Sequence, residues 1–141
     1  MFRAAIISCV TAAMALTALP AGAAEAEAGD ACLYGTLEGE HPLCIRKERF
    51  NADLCTAIEH FATASNLPPA FFARLIWRES LFRPQAVSPR GAEGIAQFMP
   101  GTARLRGLDD SFDVIRALGA SSEYLNELRL RFGNLGLAAA A

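Results

Sequence analysis

Apolar residues are arranged along this chain in two ways. Ala4 to Leu19 form one mostly apolar run, whereas after residue 50 apolar positions recur at helical spacing. Leu54, Ile58, Phe61 and Ala62 fall on one helix face, with Asn51 or Asp53 placed to cap it. Ser65-Asn66 and Pro68-Pro69 end that helix and open a second over 69–82, because Pro is tolerated in a first helical turn but not in an interior. In the second helix Phe72, Leu75, Ile76, Glu79 and Phe82 share one stripe, so an acid lies on the apolar face, while Arg74 and Arg78 lie elsewhere. Residues 83–94 hold Pro84, Pro89, Gly91 and Gly94 and predict a structured loop. A short helix is expected from Ala92 or Gly94 to Phe98, and another from Pro100 to about Arg106. After a turn over 107–111, Asp113 is placed to cap a long helix. Its buried seam is Ile115, Leu118, Ser121 or Ser122, Leu125, Leu128 and Phe132. Gly133 stops it, and Leu135 to Ala141 opens one more helix. Neither strand-like alternation nor an internal repeat is present, so the predicted class is an all-α domain.

The N-terminal run changes how the overall hydropathy is read. Arg3 is the only charge before Glu25, and Pro20 followed by Ala21-Gly22-Ala23 closes the run. A short positive start, an apolar centre and small residues at a cleavage site read as a secretory signal peptide over 1–23, with cleavage after Ala26 as the alternative. The uncharged stretch 4–24 is also just long enough for a membrane anchor, but Pro20 and the high Ala content favour cleavage. Residues 24–50 read as an N-terminal arm without periodicity, and 51–141 as the helical domain. The localisation implied is periplasmic or secreted.

Composition narrows the classes further. The 141 residues are 52% apolar, with 13 Lys and Arg against 15 Asp and Glu, for a net charge of −2. That is enough chain for one domain with a real core. Slight acidity without a basic run argues against a nucleic-acid partner, and nine Phe residues argue against disorder. Cys9 stands too early for a lipoprotein cysteine. Cys32, Cys44 and Cys55 remain, an odd number for an oxidising compartment. One disulfide with a leftover thiol, or a partner beyond residue 141, is favoured over a metal site, because His41 and His60 do not stand at ligand spacing. Cys32–Cys44 is the expected pair.

Glu79 carries the candidate chemistry. A carboxylate on an apolar face is costly unless paired or neutral, and desolvation raises its pKa to where a general acid works. On this pattern alone, pairing with Arg83 at i+4 or a solvated edge position is the better reading. The following residues change that. Glu79-Ser80 leads to Pro84, Ala86 and Ser88, then Gly91-Ala92-Glu93-Gly94, Gln97 and Met99-Pro100-Gly101-Thr102-Ala103. Over 25 residues this closely resembles the signature of soluble lytic murein transglycosylases, and Tyr124-Leu125 and Phe132-Gly133 resemble the family's following helix. The resemblance covers about residues 52–141.

The resemblance implies a goose-type-lysozyme-like fold. It also implies cleavage of the β-1,4 bond between N-acetylmuramic acid and N-acetylglucosamine in peptidoglycan, leaving 1,6-anhydromuramoyl ends. By position, Glu79 is the sole catalytic acid/base, with the substrate's N-acetyl group stabilising the intermediate, which explains how one carboxylate suffices. Ser80 matches a serine that hydrogen-bonds near the acid and substrate, with helix packing an equal alternative. Gln97 matches a glutamine lining the saccharide groove, in preference to a purely structural hydrogen bond. Met99 and Phe98 line sugar subsites or belong to the core. Ser88 and Gly91 shape the loop. Trp77, one residue off the stripe, reads as core rather than sugar platform. Glu93 reads as a solvated loop residue, and Asp109 and Asp110 as turn and capping residues. No cofactor or metal is implied. The partners implied are peptidoglycan glycan strands and a cell-envelope or secretion machine.

The family's Ala-Ala-Tyr-Asn-Ala-Gly motif follows a helix start like Leu137 to Ala141, so the domain is expected to be C-terminally truncated. The competing functions are therefore a non-catalytic peptidoglycan-binding or scaffolding module and a hydrolytic lysozyme of the same fold.

Overall fold

The computed structural model describes residues 31–36 and 42–141. The expected signal peptide over 1–23 lies outside the described residues. Five helices follow a small hairpin: β1 (Cys32–Gly35), β2 (Cys44–Arg46), α1 (Phe50–Ala64), α2 (Pro69–Ser80), α3 (Pro100–Leu105), α4 (Val114–Phe132) and α5 (Leu135–Ala140). None of these helices is long and apolar enough to cross a membrane.

The hairpin corrects the all-α expectation. β1 and β2 pair antiparallel, with Cys32 opposite Arg46, Tyr34 opposite Ile45 and Gly35 opposite Cys44, and the register slips at Leu33. The strands are too short for alternation to register as a pattern. The expected disulfide Cys32–Cys44 is present, and it closes the ribbon that the pairing alone would hold weakly. Cys55 is left as an exposed free thiol.

Two contacts fix the hairpin to the helices. Ile45 is fully buried in the core, and Arg46 makes a forked contact with Asp53 on α1. The Arg46 Nε donates to Asp53 Oδ2 at 2.8 Å, an Nη to Oδ1 at 3.0 Å, and the Arg46 amide to Oδ2 at 3.1 Å. Asp53 is thus not the N-cap. The cap position is Arg49, without a side-chain bond, and Asp53 lies inside the first turn at its acid-favouring end.

The helical core forms where the predicted stripes meet. Leu54, Ala57, Ile58 and Ala62 of α1 face Phe72 and Ile76 of α2 on one side, and α4 on the other through Val114, Ile115 and Leu118. Burying each large aliphatic side chain contributes on the order of 2 kcal/mol. One polar chain crosses this core without an unmet group. The Ser65 hydroxyl donates to Ser122 Oγ at 2.9 Å, and Ser122 donates to the Gly119 carbonyl at 2.9 Å. Asp113 caps α4 by accepting from the Arg116 amide at 3.1 Å, and Gly133 ends it with φ 66°, as expected. Asn134 then caps α5, which lies back against α4 through the buried Ala138.

The segment between α2 and α3 departs most from expectation. α2 ends at Ser80 rather than Phe82, because Leu81 and Phe82 both take left-handed backbone, φ 55° and 59°. Residues 92–98 are not a helix. Val87 pairs with Glu93 and Glu93 with Phe98 in single antiparallel bridges, and Gly94 (φ 73°) and Gln97 (φ 51°) turn the chain between them. Glu93 and Phe98 exchange amide-to-carbonyl bonds at 2.9 and 3.0 Å, which pairs the backbone on either side of the fully buried Ile95.

Gly94 is the position where this loop meets the rest of the domain. A Cβ built there would lie 1.8 Å from the Ser111 carbonyl oxygen. Gly94→Ala should therefore destabilise the protein by at least about 2 kcal/mol in chemical denaturation, combining left-handed strain with displaced backbone. An unchanged midpoint would show that the close approach is not needed.

The Arg46 contact holds the Asp53 carboxyl down to about 2, against an ordinary 3.8. A depressed folded pKa means stabilisation that is complete above about pH 4 and is lost as pH falls toward 2. Asp53→Asn should remove that acid-side slope from a plot of stability against pH, and retention of the slope would assign it to other carboxylates.

Candidate active site

Glu79 is set in place by the residues that α2 must bury. Phe72 and Ile76 are fully buried, so Leu75 and Glu79, one turn apart, are held on the side of α2 that borders the cleft. There they line a cleft of about 310 Å³. Ala96, Gln97, Phe98 and Met99 from the loop, Thr102 from α3, Ser121, Tyr124, Leu125 and Leu128 from α4, and Ala138, Ala139 and Ala141 at the chain's last helix complete its described walls.

The electrostatics of Glu79 follow from that position. Arg83 does not pair with it, its Nε donating instead to the Ser80 carbonyl at 3.1 Å. None of the ion pairs found among the described residues includes Glu79. Partial desolvation by the cleft walls raises the Glu79 pKa above its ordinary 4.5, with the Arg78 charge opposing the rise. The side chain is still open to solvent on one side, as a group that must meet a substrate requires.

The other residues singled out by the sequence divide between the cleft and its supports. Met99 is 46% exposed and lines the cleft, and Phe98 lines it from a buried position. Gln97 is on the wall while its Nε2 donates to the Ala86 carbonyl at 3.2 Å and the Gly94 carbonyl at 2.9 Å. It therefore ties the loop together and faces the cleft at once. Ser80 is not brought onto the wall. It is buried and its hydroxyl donates to the Ile76 carbonyl at 3.4 Å, within its own helix. Ser88 accepts from the Ala92 amide at 2.9 Å and Gly91 takes φ 81°, both inside the loop. Glu93 is partly buried and faces a different cavity, shared with Asp109 and Asp110.

Trp77 corrects the core expectation. It is 50% exposed and packs edge-on against Phe82, with ring centroids 5.2 Å apart. Two residues from Glu79, it lies roughly 200° round the helix, on the far side from the cleft. Phe132, expected in the α4 seam, is likewise exposed, since the helix outruns the core at its last turn.

Periodicity alone did not resolve the contribution of α4. Ser122 is the buried serine, and Ser121 faces the cleft four residues before Leu125. Thr102 and Tyr124 were also not singled out as cleft residues, although Thr102 follows Met99 at helical spacing. Among the described residues, no group of three or more His, Cys, Asp or Glu is placed to hold a metal ion.

A raised folded pKa reverses the usual sign for an acid. Because Glu79 is exposed, solvent screening keeps the penalty of its ionised form small, and that penalty disappears as pH falls below the ordinary carboxyl value. Glu79→Gln should raise Tm at pH 7, with the gain shrinking toward pH 4. A variant less stable than the native protein at pH 7 would contradict a desolvated acid.

Comparison with known proteins places this architecture. The family model described as transglycosylase SLT domain matches residues 56–141, which include Glu79, the loop and every described cleft wall. Over 59 residues the chain is 37% identical to "Membrane-bound lytic murein transglycosylase F" of Alcanivorax borkumensis (strain ATCC 700651 / DSM 11573 / NCIMB 13689 / SK2), covering 42% of this chain and 13% of that protein. Over 73 residues it is 32% identical to "Transglycosylase" of Enterobacteria phage PRD1, covering 52% of this chain and 28% of that protein. With the family model spanning more than half of its length, the chain belongs to the transglycosylase SLT domain family.

Proposed function

We propose that the protein is a peptidoglycan lytic transglycosylase that cleaves the β-1,4 bond between N-acetylmuramic acid and N-acetylglucosamine and leaves a 1,6-anhydromuramoyl end. The observation that carries this reading is a single acidic side chain, Glu79, with its pKa raised by desolvation and without an ion-pair partner, in a cleft whose described walls hold no second acidic side chain. Most hydrolytic glycosidases use a second acid to activate water or to form a glycosyl intermediate, so a lone acid favours attack by the substrate's own hydroxyl. The nearby acids are otherwise engaged: Glu127 pairs with Arg106, and Glu93 lies on another cavity.

In this mechanism protonated Glu79 donates its proton to the glycosidic oxygen as the bond to the muramoyl anomeric carbon breaks. The substrate's N-acetyl group stabilises the charge left at that carbon. The Glu79 carboxylate then takes the proton of the muramoyl 6-hydroxyl as its oxygen attacks, so no water is consumed. A raised pKa makes the proton more available for the first step than on a carboxyl in water. Gln97 and Met99 contact the sugars from the loop side, and Ser80 acts beneath the acid by holding the last turn of α2. A matching family and a relative named as membrane-bound and acting on murein support work in the cell envelope, after export by the leader over 1–23. The three-part organisation 1–23, 24–50 and 51–141 belongs to the same proposal, as does recruitment by an envelope or secretion machine.

Mass spectrometry of muropeptides released from purified peptidoglycan tests the assignment. Anhydro ends, lighter by one water than reducing ends, are expected from the native chain, and Glu79→Gln should lower their release by at least about 10²-fold. Reducing ends would instead indicate hydrolysis, glycan binding without products would indicate a non-catalytic module, and unchanged turnover in the variant would remove Glu79 from the mechanism.

A further inference from the structure

Arg106 is the C-cap of α3, and its side chain reaches across to α4. Its amide continues the helix by donating to the Thr102 and Ala103 carbonyls at 3.1 and 3.0 Å. Its guanidinium carbon lies 3.9 Å from the centre of the Tyr124 ring, and its Nη1 bonds Glu127 one turn further along α4. Tyr124 lines the cleft and Arg106 does not, so the guanidinium backs the ring from behind the wall. The two helices joined here supply opposite parts of that wall, with Met99 and Thr102 at the start of α3 and Ser121, Tyr124 and Leu125 on α4.

We propose that Arg106 is a positioning residue, which fixes the Tyr124 ring and the spacing of α3 from α4 and thereby sets how a sugar ring is gripped beside Thr102. The proposal rests on the cleft being the glycan site. The working contact is the stack on Tyr124 rather than the ion pair. Glu127 is 61% exposed, and water screens such a pair to little net value, whereas the Arg106 side chain is 28% exposed and its guanidinium carbon sits over the ring.

Arg106 and Glu127 can be tested separately in the full chain. Arg106→Gln should speed amide exchange in α3 about tenfold and weaken binding of a chitin tetrasaccharide, or raise KM on peptidoglycan, by a similar factor. Exchange in α1, kcat and the pH limb set by Glu79 should be unmoved. Glu127→Gln should change all of these by less than about twofold. The proposal is overturned if Arg106→Gln leaves α3 exchange and affinity unchanged, if Glu127→Gln is equally damaging, or if kcat and the pH limb move instead of affinity. Faster α3 exchange in Arg106→Gln, in a native protein that neither binds nor cleaves glycan, would uphold the tie between the helices. It would reject both the grip on sugar and the proposed activity.

Discussion

The burial of one apolar face of α2, with an acid at its edge, is the constraint on which the candidate site depends. α2 buries Phe72 and Ile76, and its stripe carries Glu79 to the edge of the same apolar surface. A charged acid could escape such a site by pairing, but no ion pair to it is present among the described residues. The helix instead stops at once, through two left-handed residues, and the loop folds back to form one wall beside the acid, which stays exposed to solvent. Non-Gly residues in that conformation cost roughly 1 kcal/mol or more each, so Leu81, Phe82 and Gln97 together store several. Burial of Ile95 and Phe98 within the same loop returns a comparable amount, on the order of 2 kcal/mol for each side chain. Strain and burial thus occur in one segment, and the contact of Gly94 with Ser111 holds it to the start of α4.

Much of this was legible in the residues because helical periodicity is a strong signal where one face is buried. The stripes of α1, α2 and α4, the Asp113 cap and the Gly133 stop were all present in the spacing, as was the anomaly of Glu79. What escaped had physical reasons. β1 and β2 are only four and three residues long, with one fully buried side chain between them, so they leave almost no alternation to read. Residues 92–98 have helix-compatible composition, yet tertiary contact at Gly94 and the paired bridges at Glu93 decide their conformation. Asp53 resembles a cap in sequence but answers to Arg46 from outside the helix. Trp77 shows the limit in the other direction, since hydrophobicity suggested burial and its place round the helix left it half exposed.

The hairpin extends the structural unit beyond the residues that the family model covers. It is closed by its disulfide, seated by Ile45 and joined to α1 by Asp53, while the Tyr34 hydroxyl accepts from Gln85 in the loop behind the cleft at 3.4 Å. The arm therefore touches the segment that presents Gln97. On the opposite flank, Arg106 joins α3 to α4. The cleft is thus held from both sides by contacts remote from the acid itself, as a site requires if a small displacement of the acid is to matter to chemistry.

The central claim is that the cleft keeps Glu79 protonated more readily than water does. Carbon-13 NMR titration of the Glu79 side-chain carboxyl in the full chain measures this directly, without dependence on substrate or turnover. The account predicts a pKa above the ordinary 4.5. A value at or below it would mean that Arg78 or solvent dominates the site, and would contradict a desolvated general acid.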